Sequence, residues 1–483
     1  MRILMLGWEF PPFIAGGLGV ACYGLTRALD SRGHRITFVL PRPVNRSNPS
    51  HVRMLSPESV QPGSRIADMA PRLTLASGAP RETGHAPSAE EALHTEGFQN
   101  VTFRAVPAAF ANPYEGGDPI GGTNWVRLSE GEMPVVAEDE NAAKRMLASS
   151  AITKQPSPVG KPSGNLVGTN GYGHDLVADA DRYARLVVAL AKDEQYDVIH
   201  AHDWLTFPAA IALSRVSGKP LVVHLHSTEF DRAGNNVNQR VYDIERAGMQ
   251  SADRVITVSQ LTKSICVRRY AVPPQKIDVV YNGLEQEAIQ PQPGAQIENE
   301  DKLVLFLGRI TMQKGPEYFI ASAKRVLEKM DNVKFVLAGS GDMALRMIEL
   351  AASMGIGHKV LFTGFLRGKD VDRVFAMADC YVMPSVSEPF GLAALEAIHH
   401  DVPVIVSKTS GVAEVLNHVL KVDFWDVDEM ANKILAVLRH PPLGQTLRQH
   451  GAMELRRLTW TGAGEKCEAV YQKAIEAQHA HAV

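Results

Sequence analysis

The sequence predicts an α/β protein built from two doubly wound, parallel-sheet domains. Short β-branched runs alternate with amphipathic helical stretches, which is typical of βαβ units. The whole series occurs twice along the chain. In addition, 483 residues exceed what one compact core normally accommodates. We therefore expect two domains of similar architecture.

Each half of the chain contributes its own set of predicted buried strands. Those of the first half read RILMLG, RITFVL, DVIHAH, PLVVHLH, RVITVS and IDVVYNG. Those of the second half read LVLFLGR, VKFVLAG, KVLFTGF, CYVMPS and PVIVS. The polar stretch QPQPGAQIENED at 290–301 lies between the two sets and indicates a linker. We assign residues 1–289 to the first domain, 290–458 to the second, and 459–483, with the helical pattern EKCEAVYQKAIEA, to a C-terminal helix.

One region of the first domain interrupts this alternation. Residues 42–175 are rich in Pro, Gly, Ser and Ala, with a weak strand signal around VTFRAVP at 101–107. A stretch of this length without regular structure is normally functional or disordered. We expect an elaboration of the first domain in which much of 116–170 is poorly ordered. Clear helical periodicity resumes with RYARLVVALA at 182–191.

Composition narrows the class of protein. Apolar residues make up 45% and charged residues 21% of the chain, which are ordinary globular values. The formal net charge of −3 offers no bulk attraction to nucleic acid or to an anionic membrane. The 4 cysteines lack CxxC spacing, which argues against a disulfide framework and a thiolate zinc site. Without a segment of transmembrane length or a signal-peptide pattern, we expect a cytoplasmic protein.

The segment SEPFGLAALEA, which follows the strand CYVMPS, suggests a helix start between two carboxylates. If the helix begins near the proline, the amides of Phe390, Gly391 and Leu392 are unpaired and favour an anion. Glu388 and Glu396 would then lie about 12 Å apart on roughly one side. This layout suits a nucleotide-sugar, which carries sugar, diphosphate and ribose in that order. The alternative is one charge that favours the helix dipole and one solvated acid.

Further candidate phosphate contacts follow the first strand of each half. Arg309 and Lys314, in FLGRITMQKG, come after the first strand of the second half, where a cation pair can neutralise a departing diphosphate. Gly16, Gly17 and Gly19, in AGGLGVA, form a predicted loop whose amides can approach phosphate. The alternatives are solvated loop cations and ordinary turn glycines.

Two HxH patterns allow two interpretations. HAHDW contains His200, His202 and Asp203, and VHLHSTEFDR contains His224 and His226. Alternate residues of a strand share a face, so each pattern presents two imidazoles together. One interpretation is a zinc site in a metal-dependent hydrolase. The other, which we favour, is one core histidine and one polar site residue on each strand, without metal.

Two DxD pairs, at 179–181 and 426–428, offer another candidate site for a divalent ion. Both pairs lie at predicted helix starts, where acidic side chains cap the helix. We therefore interpret them as caps and expect no metal cofactor.

Taken together, these motifs resemble the retaining glycosyltransferases of the GT-B fold, family 4 type, which are related to glycogen and starch synthases. The resemblance covers nearly the whole chain outside 42–175. The matching features are the E-x7-E pattern of Glu388 and Glu396, the pair Arg309 and Lys314, the GGLG loop, His226 in VHLHSTEFDR, and Asp203 in HAHDW. The chain departs from bacterial and plant glucan synthases at Ile14, where these carry lysine, and at Val20, where they carry aspartate. The broader family therefore fits better than a strict glycogen synthase.

The resemblance implies two Rossmann-like domains, a deep interdomain cleft, and a last helix that crosses back to the first domain. It implies transfer of a sugar, glucose above all, from a nucleotide-diphosphate sugar to a carbohydrate or small-molecule hydroxyl. The implied catalytic residues are His226, Arg309, Lys314 and Glu388. The implied donor-binding residues are Gly16, Gly17, Gly19, Asp203, Phe390, Gly391, Leu392 and Glu396. In this scheme the two cations stabilise the departing diphosphate, Glu388 grips the sugar, Glu396 holds the ribose, and His226 contacts the sugar near its reacting carbon.

Overall fold

The computed structural model describes residues 1–11, 16–41, 101–105, 176–192, 194–285 and 301–481, with backbone alone for 101–105 and 479–481. The predicted poorly ordered stretch at 116–170 lies outside the described residues. So does the predicted linker except for its last residue. Both therefore remain predictions.

The first domain is built on one parallel sheet. Its described strands are β1 (Arg2–Leu6), β2 (Arg35–Leu40), β3 (Val101–Ala105), β4 (Val198–His202), β5 (Leu221–Leu225), β6 (Arg254–Thr257) and β7 (Ile277–Val279). They pair in the order β3-β2-β1-β4-β5-β6-β7. The strand order reverses between β1 and β4, and the crevice at such a switch point is where doubly wound folds bind ligands.

Helices cover both faces of this sheet. They are α1 (Gly17–Ser31), α2 (Leu176–Ala191), α3 (Phe207–Ser217), α4 (Glu229–Ala233), α5 (Gln239–Ser251) and α6 (Gln260–Tyr270). Helices α2, α3 and α5 pack on one face, and α1 packs on the other. Local sequence sets several helix ends: the Asn238 side chain accepts backbone N–H groups at the start of α5, as Ser259 does for α6. Gly218, with φ of 65°, ends α3.

The second domain repeats the architecture. Its strands are β8 (Lys302–Leu307), β9 (Val333–Ala338), β10 (Val360–Gly364), β11 (Cys380–Met383), β12 (Val404–Ser407) and β13 (Leu420–Val422), ordered β10-β9-β8-β11-β12-β13. Its helices are α7 (Pro316–Leu327), α8 (Ala344–Ser353), α9 (Lys369–Ala376), α10 (Leu392–His399), α11 (Val427–Arg439) and α12 (Pro441–Leu455). All described pairings in both sheets are parallel, so the predicted fold class is confirmed.

Two details test the element predictions. The short strand β13 carries only three residues, LKV, and its pattern was too brief for the sequence to reveal. Asp426 caps α11 by accepting the Glu429 N–H at 3.0 Å, as expected for that DxD pair. Asp179 lies in the first turn of α2 and pairs with Arg182.

The last helix, α13 (Trp460–His481), packs on the first domain. Trp460 and Tyr471 join the core formed by β1, β2 and α1. A Cβ atom on Gly24 of α1 would lie 2.2 Å from the Trp460 ring, so the two helices approach closely because this position is glycine. The Leu284 N–H donates to the Leu458 carbonyl at 2.9 Å, which holds the two interdomain connections side by side. Among the helices that the structure describes, none is both long and apolar enough to cross a membrane.

Candidate active site

The carboxyl ends of the two sheets open on one cleft. Its cavity measures about 340 Å³, a usual size for a small-molecule site. The first domain contributes the start of α1 and the segments after β4, β5 and β7. The second contributes the segments after β8, β9, β10 and β11, together with α10. The strand order of the second sheet reverses between β8 and β11, so the switch points of both sheets face the same cavity.

An ion pair joins two of the predicted catalytic residues. Lys314 Nζ lies 2.5 Å from Oε2 of Glu388, and Ser385 Oγ donates to the same oxygen at 3.2 Å. The Glu388 backbone is also anchored: its N–H donates to the Thr409 carbonyl at 3.0 Å, and its carbonyl accepts the Gly411 N–H at 2.9 Å. Because Glu388 is only 7% exposed, removing one partner of this pair would leave a poorly solvated charge.

Arg309 and Lys314 lie on one tight turn after β8. Gly315 ends this turn with φ of 64°, and a Cβ atom there would lie 2.3 Å from the Pro384 carbonyl oxygen. Only glycine tolerates both the dihedral angle and the close approach. The turn therefore packs against the loop that bears Glu388, and its two cations line one wall of the cleft.

The helix after β11 begins later than the sequence predicted. Gly391, with φ of 113°, precedes it, and Leu392 is its first residue. Phe390 lies before the helix with its side chain in the domain core, so the expectation that its amide belongs to the helix start is wrong. Glu388 lies in the preceding loop, and its separation from Glu396 is not set by helical rise. Phe390, Gly391 and Leu392 all line the cleft, and the helix N-terminus at Leu392 favours an anion there.

Glu396 lies in the second turn of α10 and lines the cleft together with Tyr381. Burial raises the pKa of the Glu396 carboxyl to about 7, and the charge of Asp372 adds to the shift. A carboxyl group with this pKa changes charge near neutral pH. Such shifts are common among residues that bind ligands or take part in catalysis.

The glycine-rich segment of the first domain faces the start of α10. Gly16 caps α1, Gly17 is its first residue, and a Cβ atom on Gly17 would lie 3.8 Å from Leu392 Cδ1. Gly19 is buried inside the first turn of α1. The prediction that the three glycines form one loop is therefore wrong for Gly17 and Gly19, since only Gly16 precedes the helix. Residues 12–15, which include Ile14, lie outside the described part of the chain.

His226 and Asp203 reach the cleft from the ends of β5 and β4. Asp203 Oδ1 accepts the His226 backbone N–H at 2.7 Å, and His226 Nε2 lies 2.9 Å from His202 Nδ1. The φ of Asp203 is 57°, a strained value for a residue with a side chain and one that is frequent at functional sites. Burial raises the pKa of the Asp203 carboxyl to about 7 and lowers the pKa of His226 to about 3. The His226 imidazole is therefore neutral at physiological pH.

The other three histidines of the HxH patterns are buried. His200 Nδ1 lies 2.6 Å from Tyr471 Oη, and its Nε2 lies 3.3 Å from His224 Nδ1. Burial lowers the pKa of His200, His202 and His224, so all three are neutral. The expectation that one histidine of each strand is buried and the other reaches the cleft is met on β5, where the site role of His226 stays a prediction. It is wrong for β4, where both histidines are buried and Asp203 takes the position at the cleft.

Two groups of these side chains bring ligand atoms within 4.8 Å of one another: Cys22 with His202 and His226, and His200 with His202 and His224. Neither of these groups includes a carboxylate. The second group is closed off, since its members are at most 2% exposed. A catalytic zinc keeps an open coordination position for water, so the second group does not favour a metal-dependent hydrolase.

Some cleft residues were not singled out by the motifs. Asn282, Ser340 and Phe365 follow β7, β9 and β10 and line the cavity. Phe365 is 50% exposed, and the Arg367 guanidinium carbon lies 5.2 Å from its ring centroid. An exposed ring beside a cleft provides a stacking surface. Their shared signal is a position shortly after a strand, which the sequence analysis had applied to other strands but not to these three residues.

Comparison with known proteins identifies related sequences along most of the chain. The model of glycosyl transferases group 1 matches residues 290–452, that of glycosyltransferase family 4 matches 161–288, and that of the starch synthase catalytic domain matches 2–74. An uncharacterised glycosyltransferase of Methanocaldococcus jannaschii is 36% identical over 238 residues, which are 47% of this chain and 61% of that protein. Glycogen synthase of Mycobacterium tuberculosis is 26% identical over 455 residues, 92% of this chain and 88% of that protein.

The fold is similar to that of a solved sucrose-phosphate synthase from Thermosynechococcus elongatus, with a TM-score of 0.63 at 18% identity and 98% of each chain covered. The three family models follow one another through both domains and all describe glycosyltransferases. They give no support to the hydrolase alternative. Over most of its length the chain is therefore similar to glycosyltransferases, with family 4 enzymes and a glycogen synthase among the sequences it resembles, and it has their GT-B fold.

Proposed function

We propose that the protein is a retaining hexosyltransferase that moves a sugar, glucose above all, from a nucleotide-diphosphate sugar to a hydroxyl of a carbohydrate or small molecule. The observation that carries the proposal is the Lys314–Glu388 ion pair, held at 2.5 Å in the cleft between two switch points. A cation fixed by a carboxylate is oriented before the ligand arrives, which is the requirement for stabilising charge that develops as a bond breaks.

The donor diphosphate fits between the two cations and the start of α10. Arg309 offers a planar fork of donors, and Lys314 has three ammonium protons, so it can contact phosphate while keeping Glu388 as a partner. The first amides of α10 favour the same negative charge. These groups supply the stabilisation that a divalent ion supplies in other phosphate chemistry, and we propose that transfer needs no metal cofactor.

The remaining cleft residues orient the donor along its length. Glu396 accepts hydrogen bonds from the ribose hydroxyls, and Phe365 offers a face on which the base stacks. At the other end, Glu388 and His226 hold the sugar hydroxyls. His226 Nδ1 is buried and has no hydrogen-bond partner among the described residues, while Nε2 lies 2.9 Å from His202 Nδ1.

The reaction exchanges one bond at the anomeric carbon. The bond from this carbon to the phosphate oxygen breaks, the bond to the acceptor oxygen forms, and the acceptor proton passes to the departing phosphate. Because both cations lie on the leaving-group side, the acceptor can approach from that same face, which retains the anomeric configuration. The similarity to glycogen synthase and to the starch synthase model supports glucose as the sugar and a glycan as the acceptor.

A donor screen tests this function. Purified protein is incubated with UDP- and ADP-sugars, with and without glucan, small sugars or lipid acceptors, and nucleotide release is measured. The anomeric configuration of the product is then read by proton NMR. We expect release that depends on acceptor, and a product with the anomeric configuration of the donor. A product of inverted configuration would rule out the retaining mechanism, and no release from any donor would rule out the function.

A further inference from the structure

A side-chain hydrogen bond crosses between the domains beside the site. Ser387 Oγ, in the second domain, donates to Asp231 Oδ1, in the first domain, at 2.6 Å. This length is typical of a bond between a hydroxyl and a carboxylate, a strong class of hydrogen bond. Ser387 directly precedes Glu388, and Asp231 belongs to the short helix that follows His226. The bond thus joins the loop of Glu388 to the loop of His226.

The Asp231 carboxylate is rigidly held. Its other oxygen, Oδ2, accepts both the N–H and the hydroxyl of Thr228 at 2.7 Å, which forms a capping box at the start of α4. The next residue, Arg232, bonds to Glu245 at 2.5 Å and to Glu229 at 3.2 Å. Both of these glutamates are at most 1% exposed. The segment after His226 therefore has little freedom to move by itself.

The loop that bears Ser387, on the second-domain side of the bond, is also held by hydrogen bonds. The Val386 N–H donates to the Gln313 carbonyl at 2.9 Å, and the Glu388 N–H donates to the Thr409 carbonyl at 3.0 Å. Ser387 lies between these two anchors. A displacement of Ser387 must therefore carry the loop of Glu388 and the turn of Lys314 with it.

We propose that Asp231 and Ser387 are positioning residues, whose bond sets the separation of His226 and Glu388 across the cleft. The inference rests on the proposed transferase function. A second contact, in which Glu414 accepts the N–H groups of Gln260 and Leu261 at 2.9 and 2.6 Å, joins the domains outside the cleft lining. Loss of the Ser387 bond therefore leaves the domains in contact and misaligns only the two loops.

The test is a double-mutant cycle on steady-state transfer. Ser387→Ala removes the hydroxyl, and Asp231→Asn removes the charge. We expect kcat to fall about tenfold or more in Ser387→Ala, and less in Asp231→Asn, whose amide can still bond to the hydroxyl but without the charge. The double variant should fall no further than Ser387→Ala, because Ser387 is the partner through which the charge of Asp231 acts. Inhibition by free nucleoside diphosphate should stay within about twofold of wild type, since the proposed nucleotide contacts lie in the second domain alone.

Two further variants separate positioning from general destabilisation. Ser387→Thr keeps the hydroxyl and should restore most of kcat. Ser214→Ala removes a comparable hydroxyl bond, to the Lys219 carbonyl at 2.9 Å, far along α3, and should leave kcat unchanged. An active wild type whose kcat is insensitive to Ser387→Ala would overturn the positioning role alone. The positioning role would also be overturned if the variants lost kcat and inhibition by nucleoside diphosphate by the same factor. A wild type that is inactive with every donor would overturn the proposed function and this inference with it.

Discussion

Replacing the two acids that flank the start of α10 should affect transfer in different ways. Glu388→Gln keeps the size of the side chain but removes the charge that holds Lys314 at 2.5 Å. Glu388 is only 7% exposed, so water replaces little of the lost interaction. Removing one preorganised electrostatic contact costs about 2–4 kcal/mol in the transition state, which corresponds to a kcat about 30- to 900-fold lower.

Binding of free nucleoside diphosphate, unlike kcat, should not weaken in Glu388→Gln. In Glu388→Gln the Lys314 ammonium loses its counter-ion and becomes fully available to phosphate. Free nucleoside diphosphate should therefore inhibit this variant as well as wild type, or slightly better.

The folding stability of Glu388→Gln should also fall. The loss should be less than the roughly 3–5 kcal/mol typical of a broken buried pair, because the Lys314 side chain is 21% exposed.

Glu396→Gln is the matched comparison. This acid is proposed to bind ribose hydroxyls that change little during reaction, so its loss weakens donor and transition state alike. The donor KM and the inhibition constant of the nucleotide should both rise by roughly tenfold while kcat changes little. Steady-state kinetics of both variants, with nucleotide as competitor, measure all of these quantities. If neither variant alters them, the acids are ordinary loop and helix charges. If the effects are exchanged, the donor runs the other way along the cleft.

Three other outcomes follow from the site. Because the pKa of Glu396 is raised to about 7, its carboxylate is present above that pH, and donor KM should increase as pH falls through 7; a pH profile of Glu396→Gln should lack this component. Exhaustive chelation should leave transfer intact, whereas lost activity that zinc restores would revive the hydrolase interpretation of the histidines. Gly391→Ala, at φ of 113° with a Cβ atom 2.9 Å from Met383 Cε, should lower stability by about 1–3 kcal/mol in denaturant unfolding. Gly444→Ala inside α12, where the nearest atoms lie at 3.7 Å, should instead be neutral or stabilising by up to about 1 kcal/mol, and equal effects would contradict this assignment of strain.

The repeated alternation of strands and helices predicted the fold class, because a buried parallel strand needs an apolar run and its crossover needs an amphipathic helix. The same pattern did not reveal one strand and placed one helix start too early. β13 is too short to show a period, and the helix start at Leu392 depends on Gly391 taking a left-handed conformation. The proline that suggested an earlier start is equally suited to a loop before the helix.

For the histidine patterns too, the sequence predicted one property and left another to the tertiary structure. Alternation along a strand predicted that each pair of imidazoles shares a face, which is a covalent property of extended backbone. Which of them reaches the cleft depends on where each strand ends. His226 lies just beyond β5 and lines the cleft, while His202 is still within β4 and is buried.

By itself, the sequence determined the two parallel-sheet domains, most of their strands and helices, and the presence of acids, cations and glycines after particular strands. These features follow from local periodicity and turn chemistry. Tertiary structure alone decided which of them meet. Lys314 and Glu388 are 74 residues apart, and Ser387 and Asp231 are 156 apart in different domains. Such contacts depend on strand register and domain docking, to which every packed side chain contributes. A short motif does not predict such contacts, because the distance between two remote groups is a property of the whole folded chain.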